Sequence, residues 1–320
     1  MLAAHADWSA DPRKRWVCVA HRGTPRVGGG AMWRAEAPRP VGDPAALVTA
    51  LLAEGVPVAL GLDLPLGLPR AYAARRTEAR FPEFLRGLAA RPEFFAVSAT
   101  LDTVCVERPF YPARGVKGMT RAAHAAALGL GGPEALSRCC DRATAERPAG
   151  APVFWTLGAN QSGKAAIAAW RDWLAPALAA GAPLRLWPFE GGLHALLAPG
   201  AAVLAEVYPA EALRQCGLRL AGSKRRQAAR RALAPALRAA MAARHVLPSP
   251  ALAAAVAEGF GADAAGEDRF DSLIGLLGLI GVLDGAQPDF VPADPWVRRW
   301  EGWVLGQTAL PKGCGAPGPR

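Results

Sequence analysis

The feature that most constrains this chain is VPVALGLDLPLGLP, residues 56–69, an almost unbroken apolar run that carries one acid, Asp63. Side chains of a strand alternate between two faces, so a strand apolar at every position is buried on both. Such strands sit inside sheets covered by helices on both sides, which makes this an α/β chain. A carboxylate at the end of a buried strand needs a cation or hydrogen-bond donors, because burying it alone is costly.

The flanking sequence fills in the sheet. Residues 2–9, 15–22 and 31–37 are three short strand candidates, and their short connections favour an antiparallel meander. Asp43 is a natural N-cap and Pro44 a natural first residue for a helix over 43–55. Residues 66–201 are heterogeneous and read as an insertion, with another strand candidate at 184–189. The simple pattern resumes with AVLAEVYP (202–209), a buried strand carrying Glu206. A basic helix is expected over 223–244, followed by an apolar helix opening with the acids of EDRFD at 267–271. The organisation is therefore a core of residues 1–65 and 202–285, an insertion at 66–201, and a tail of 286–320 packing on the core. Three meandering strands followed by alternating helices and strands is the order of a ribonuclease H-like mixed sheet flanked by helices.

The acids fall at strand and helix ends. Asp7 closes the first strand, Asp63 the fourth, and Glu206 lies in the last. Asp268 and Asp271 share a helical face by their i, i+3 spacing. Converging carboxylates raise one another's pKa and repel unless a cation lies between them. Hard oxygen ligands select Mg²⁺ or Mn²⁺, and a pair of such ions supports phosphodiester hydrolysis. The expected catalytic set is Asp7, Asp63 and Asp271, with Asp63 bridging; Glu206 and Asp268 are further ligand candidates. Each also has a structural alternative: Asp268 as a cap of the last helix, Glu206 as the partner of an arginine from the basic helix. His5, two residues before Asp7, shares its strand face.

Charge points to an anionic partner. The 320 residues carry 37 Lys and Arg against 27 Asp and Glu, a net charge of +10, which suits nucleic acid. Lys224, Arg226 and Arg230 in the basic segment are placed to meet phosphates. The longest apolar run, within 273–283, is too short to span a bilayer, and the polar start MLAAHADWSADPRKR lacks a signal-peptide core. A cytoplasmic protein with no membrane partner is expected. The six cysteines show no C-x-x-C pair and read as reduced, structural thiols.

GANQSGKA, residues 158–165, fits the phosphate-cradling G-x-x-x-x-G-K loop after the strand candidate VFWTL, so nucleotide binding through Lys164 is an alternative function. Ala165 stands where a Mg²⁺-binding hydroxyl is needed. Asn160, Gln161 and Lys164 otherwise form a polar lip for a substrate, with Trp155 as a stacking platform. A non-catalytic nucleic-acid-binding module is a third reading.

Taken together, GLDLPLGLP, AEVYPAEAL, SKRRQAARRAL and EDRFDSLIGLL, with EGWVLGQ and LGANQSGKAA, resemble an uncharacterised bacterial and archaeal family of predicted ribonuclease H-like nucleases. The resemblance covers most of the chain in scattered blocks. It implies that fold, metal-dependent nuclease activity, and acidic positions at Asp7, Asp63, Asp268 and Asp271. HADWS lacks the glycine that usually follows the first acid, and Ser272 stands where alanine is usual.

Overall fold

The computed structural model describes residues 1–23, 31–115, 117–158 and 162–314. Eight strands form one sheet: β1 (Leu2–Asp7), β2 (Trp16–Arg22), β3 (Trp33–Ala35), β4 (Arg39–Pro40), β5 (Val58–Leu62), β6 (Leu184–Leu186), β7 (Ala202–Glu206) and β8 (Val246–Pro248). Their order is β6-β7-β5-β1-β2-β3-β8, with β4 paired to β2. The meander is antiparallel from β1 through β2 to β3, while β1-β5, β5-β7, β6-β7 and β3-β8 are parallel. The result is a mixed α/β sheet flanked by helices.

β5 is central and buried at all five positions, as its apolar run requires. Asp43 caps the helix Pro44–Leu52, its carboxylate accepting from the N–H groups of Ala45 (2.7 Å) and Ala46 (3.3 Å). Two further strands complete the sheet at its edges. β6 brings the 66–201 segment into the main sheet, and β8 is a three-residue strand directly after the basic segment.

Strand alternation sorts the core into two layers. Leu2, Ala4, Ala6, Leu60, Leu62 and Leu204 face one side, with the helix Pro44–Leu52 and the aromatic packing of the 66–201 segment. Ala3, Ala59, Val203 and Ala205 face the other, against the long core helix Gly266–Leu283. That helix is buried along nearly its whole length, as the apolar EDRFDSLIGLLGLIGVL stretch leads one to expect. Two glycines let it lie close on the sheet: a Cβ on Gly275 would overlap the His5 ring, and one on Gly61 would reach within 3.0 Å of it.

Three local expectations are overturned. The basic segment is not one helix but two, Gln227–Ala232 and Ala234–Ala243. Pro235 lacks the N–H that a continuous helix would use there. VFWTL is not a strand but a turn, with a single bridge from Trp155 to Tyr111. Finally, Cys139 and Cys314 are joined in a disulfide with Cα atoms 5.9 Å apart, tying the 66–201 segment to the tail; Cys18, Cys105, Cys140 and Cys216 remain thiols. Among the described residues, no helix is long and apolar enough to cross a membrane.

Candidate functional site

Asp7 and Asp63 end up side by side because their strands are parallel neighbours. Ala6 pairs with Leu62, and the N–H of Asp63 donates to the Ala6 carbonyl at 3.1 Å, so the two acids occupy the next step of the ladder. Both lie on the odd-numbered positions that face the core helix. That helix runs antiparallel to β1. From Asp271 to Gly275 is one turn, about 6 Å of helix rise, and from Asp7 back to His5 is about 6.6 Å of strand. Gly275 rests on His5, and the Ser272 carbonyl lies 3.2 Å from His5 Nδ1, which brings Asp271 over the end of β1.

Burial and neighbouring carboxylates raise all three acids. Asp7 (8 % exposed) is held well above the ordinary carboxylate range, first by burial and then by the charges of Asp63, Asp271 and Asp268. Asp63 is pushed up to about 7 by burial and by Asp271, although a side-chain hydrogen bond with Asp7 works the other way. Asp271 (4 % exposed) is raised to about 6 by burial, against the lowering pull of Lys224. Asp268, half-exposed at the rim, is also raised, by burial and by Glu267. These acids border one another without a matching set of cations.

One cation does reach them. Lys224 Nζ forms an ion pair with Asp271 Oδ2 and lies 3.4 Å from Glu267 Oε1. Lys224 was expected to meet substrate phosphate; instead its ammonium is engaged by acids. Arg230 departs further from that expectation. It is 1 % exposed, and its guanidinium donates to the carbonyls of Gly259 (2.9 Å), Gly261 (2.7 Å) and Lys224. It anchors backbone and is not available to nucleic acid. Arg226 is exposed at the start of its helix.

Glu206 is not part of the acid group. Leu62 pairs with Glu206, and both lie on the even face, opposite the core helix. There Glu206 is fully buried against Arg138, from the 66–201 segment, which donates through Nη1 (2.7 Å) and Nη2 (2.6 Å). Asp141 takes the other edge of the same guanidinium at 2.9 Å through Nε and Nη2, and the Leu66 N–H donates to Glu206 at 2.7 Å. Glu206 is thus a structural partner of an arginine, as its alternative reading held, but of an arginine sixty-eight residues away that sequence spacing did not indicate.

Among the described residues, Cys140, Asp141 and Glu206 are the group of three ligand-type side chains whose ligand atoms all lie within 4.8 Å of one another. Arg138 already fills the space between these carboxylates with a positive charge, and burial pushes the Cys140 thiol up, away from the thiolate that binds metals. This cluster is an ion-pair network. Asp7, Asp63 and Asp271 do not meet that distance criterion as a trio, so they do not converge on a single ligand point.

The opposite core layer is aromatic beside the strand ends. Trp8 stacks on Trp173 with ring centroids 5.3 Å apart, Arg15 lies over Trp8, and Trp170 Nε1 donates to the Pro65 carbonyl at 3.0 Å. These contacts seat the 162–179 region beside the loops that follow β1 and β5. Lys164 lies half-buried in the first turns of the helix Ser162–Ala169, while Asn160 and Gln161 lie outside the described residues. Without a strand before it, the loop lacks the strand–loop–helix setting of a nucleotide cradle. Trp155 packs edge-on to Tyr111 and under Arg121. Comparison with family models, curated proteins and solved structures returns no match.

Proposed function

We propose that this chain is a ribonuclease H-like, metal-dependent nuclease, with Asp7, Asp63 and Asp271 as its catalytic acids and Mg²⁺ or Mn²⁺ as the cofactor. The observation that carries the reading is the gathering of three buried carboxyls at the ends of two adjacent parallel strands and one crossing helix, with Asp271 raising both Asp7 and Asp63. The strand order, an antiparallel meander joined to parallel strands at β1, supports the fold assignment.

The donor set fits a hard divalent cation. It offers carboxylate oxygens only, crowded enough to hold protons near neutral pH, which is the electrostatic situation a bound cation relieves. Asp7, Asp63 and Asp271 would hold the cation, with Asp268 at the rim as a further ligand. Bound there, divalent cations supply the positive charge that favours water ionisation and a developing oxyanion in phosphodiester hydrolysis. The chain's own part is to hold the acids. Buried His5, pushed down to about 4 by burial, is neutral and keeps the core helix registered on β1.

The test is a cleavage screen of the full-length protein over single-stranded, duplex, hybrid and branched DNA and RNA, with Mg²⁺ or Mn²⁺ and with EDTA. Metal-dependent cleavage by the native protein and its loss in Asp63→Asn are expected. Salt-sensitive nucleic-acid binding without cleavage would point instead to a binding module.

A further inference from the structure

We infer that Lys224 is a resident counter-ion of the acid cluster, one that a divalent cation must displace, so that the site alternates between a lysine-filled and a metal-filled form. The inference rests on the metal-site reading above and adds the residue that competes with the metal.

The geometry separates a fixed backbone from a replaceable head group. The Lys224 carbonyl is held by buried Arg230, which also holds Gly259 and Gly261. Gly266, at the start of the core helix, leaves no room for a Cβ beside the same guanidinium. The stem of Lys224 therefore starts from a point set by the element that carries Asp268 and Asp271. Its side chain is 43 % exposed, and its ammonium is held by the Asp271 and Glu267 carboxylates alone among the described residues. Its exposed part borders solvent, into which it would swing once those acids find a stronger partner.

The charges agree with this arrangement. Lys224 pulls down the pKa of Asp7, Asp63 and Asp271 alike, so its charge acts on the whole cluster. Burial works to lower the Lys224 pKa, and Asp271 and its neighbours reverse that, keeping the ammonium charged. A divalent cation offers the same acids twice the charge and an oxygen-binding shell that an ammonium lacks. Lysine is suited to such a role because it is a flexible point charge, unlike the bidentate fork of arginine.

The experiment is Mn²⁺ titration by calorimetry of the native protein, Lys224→Met and Lys224→Arg, with amine labelling of native Lys224 read by mass spectrometry. Removing the competitor is expected to tighten Mn²⁺ binding about tenfold or more in Lys224→Met, while Lys224→Arg, which keeps the charge, binds no tighter than native protein. Mn²⁺ is expected to raise labelling of Lys224 severalfold. Native protein that binds Mn²⁺ with equal or lower affinity in Lys224→Met, or with unchanged labelling, overturns the counter-ion assignment alone. Absence of Mn²⁺ binding in all three proteins overturns the metal site and this inference together. If Lys224→Met does not fold, the labelling of native Lys224 decides the matter.

Discussion

Replacing Asp63 with asparagine should stabilise the metal-free protein while removing its activity. The Asp63 carboxyl is raised from 3.8 to about 7 in the folded state by burial and by Asp271. Between about pH 4 and pH 7 the folded chain therefore holds a proton that the unfolded chain has released. By linkage, metal-free stability falls as pH rises through this window, and Asp271, raised to about 6, contributes with the same sign. Each unit is worth about 1.4 kcal/mol, so by pH 8 the ionised Asp63 costs the fold at most about 4 kcal/mol. Asparagine keeps the shape without the charge. At pH 8 in EDTA, Asp63→Asn should be more stable by up to that amount, and at pH 5 by only about 1.5 kcal/mol. For 320 residues, an unfolding entropy of about 2.1 cal/mol/K per residue turns 4 kcal/mol into a rise in Tm of about 6 °C. Thermal unfolding of both proteins from pH 4 to 8 in EDTA measures this directly. Saturating Mn²⁺ should reverse the ranking, because the native acids then gain a partner that asparagine cannot replace. An advantage that is absent, or equal at pH 5 and pH 8, would refute the raised Asp63 pKa on which the metal-site argument draws.

Other perturbations follow from the same contacts. Arg138→Met strands Asp141 and Glu206 as buried, uncompensated charges and should cost about 3–5 kcal/mol in urea or thermal unfolding; adding Glu206→Gln should recover part of that loss. Gly275→Ala drives a methyl into the His5 ring and should cost about 1–3 kcal/mol while weakening Mn²⁺ binding, since it tilts Asp271 away from β1; His5→Ala in the same chain should restore both, as read by melting and calorimetry.

How much of this was legible in the sequence differs residue by residue. Asp63 could be found because its surroundings are apolar at every neighbouring position. Asp271 could be found because the helical period pairs it with Asp268. The opposite facing of Glu206 was hidden, because strand alternation tells which residues share a face only once the register is known. Leu62 pairs with Glu206, and that single fact sends its side chain away from Asp7 and Asp63. Arg138 gave no signal, lying in an irregular stretch with no period, and neither did the pairing of Cys139 with Cys314 across 175 residues. The break in the basic segment was readable from Pro235, and a charge pattern alone concealed it. VFWTL has the β-branched and aromatic residues of a strand, yet it turns instead, and Gly163 packs against the carbonyls of Val153 and Trp155.

The two acidic clusters of this fold lie on opposite faces of the same strand ends, and their cations differ in kind. Glu206 and Asp141 meet an arginine that is fully buried and engaged on both edges, with every approach closed by protein. Replacing that guanidinium would require breaking several charge-assisted hydrogen bonds at once in a dry interior. Asp7, Asp63 and Asp271 meet a lysine that touches one of them, remains partly exposed, and leaves the other two carboxyls raised above the ordinary range. A fold needing only charge balance could have used the first solution twice. The second leaves the odd-numbered face short of positive charge at the point where two strand ends and a helix meet, a deficit that the proposed divalent cation would relieve.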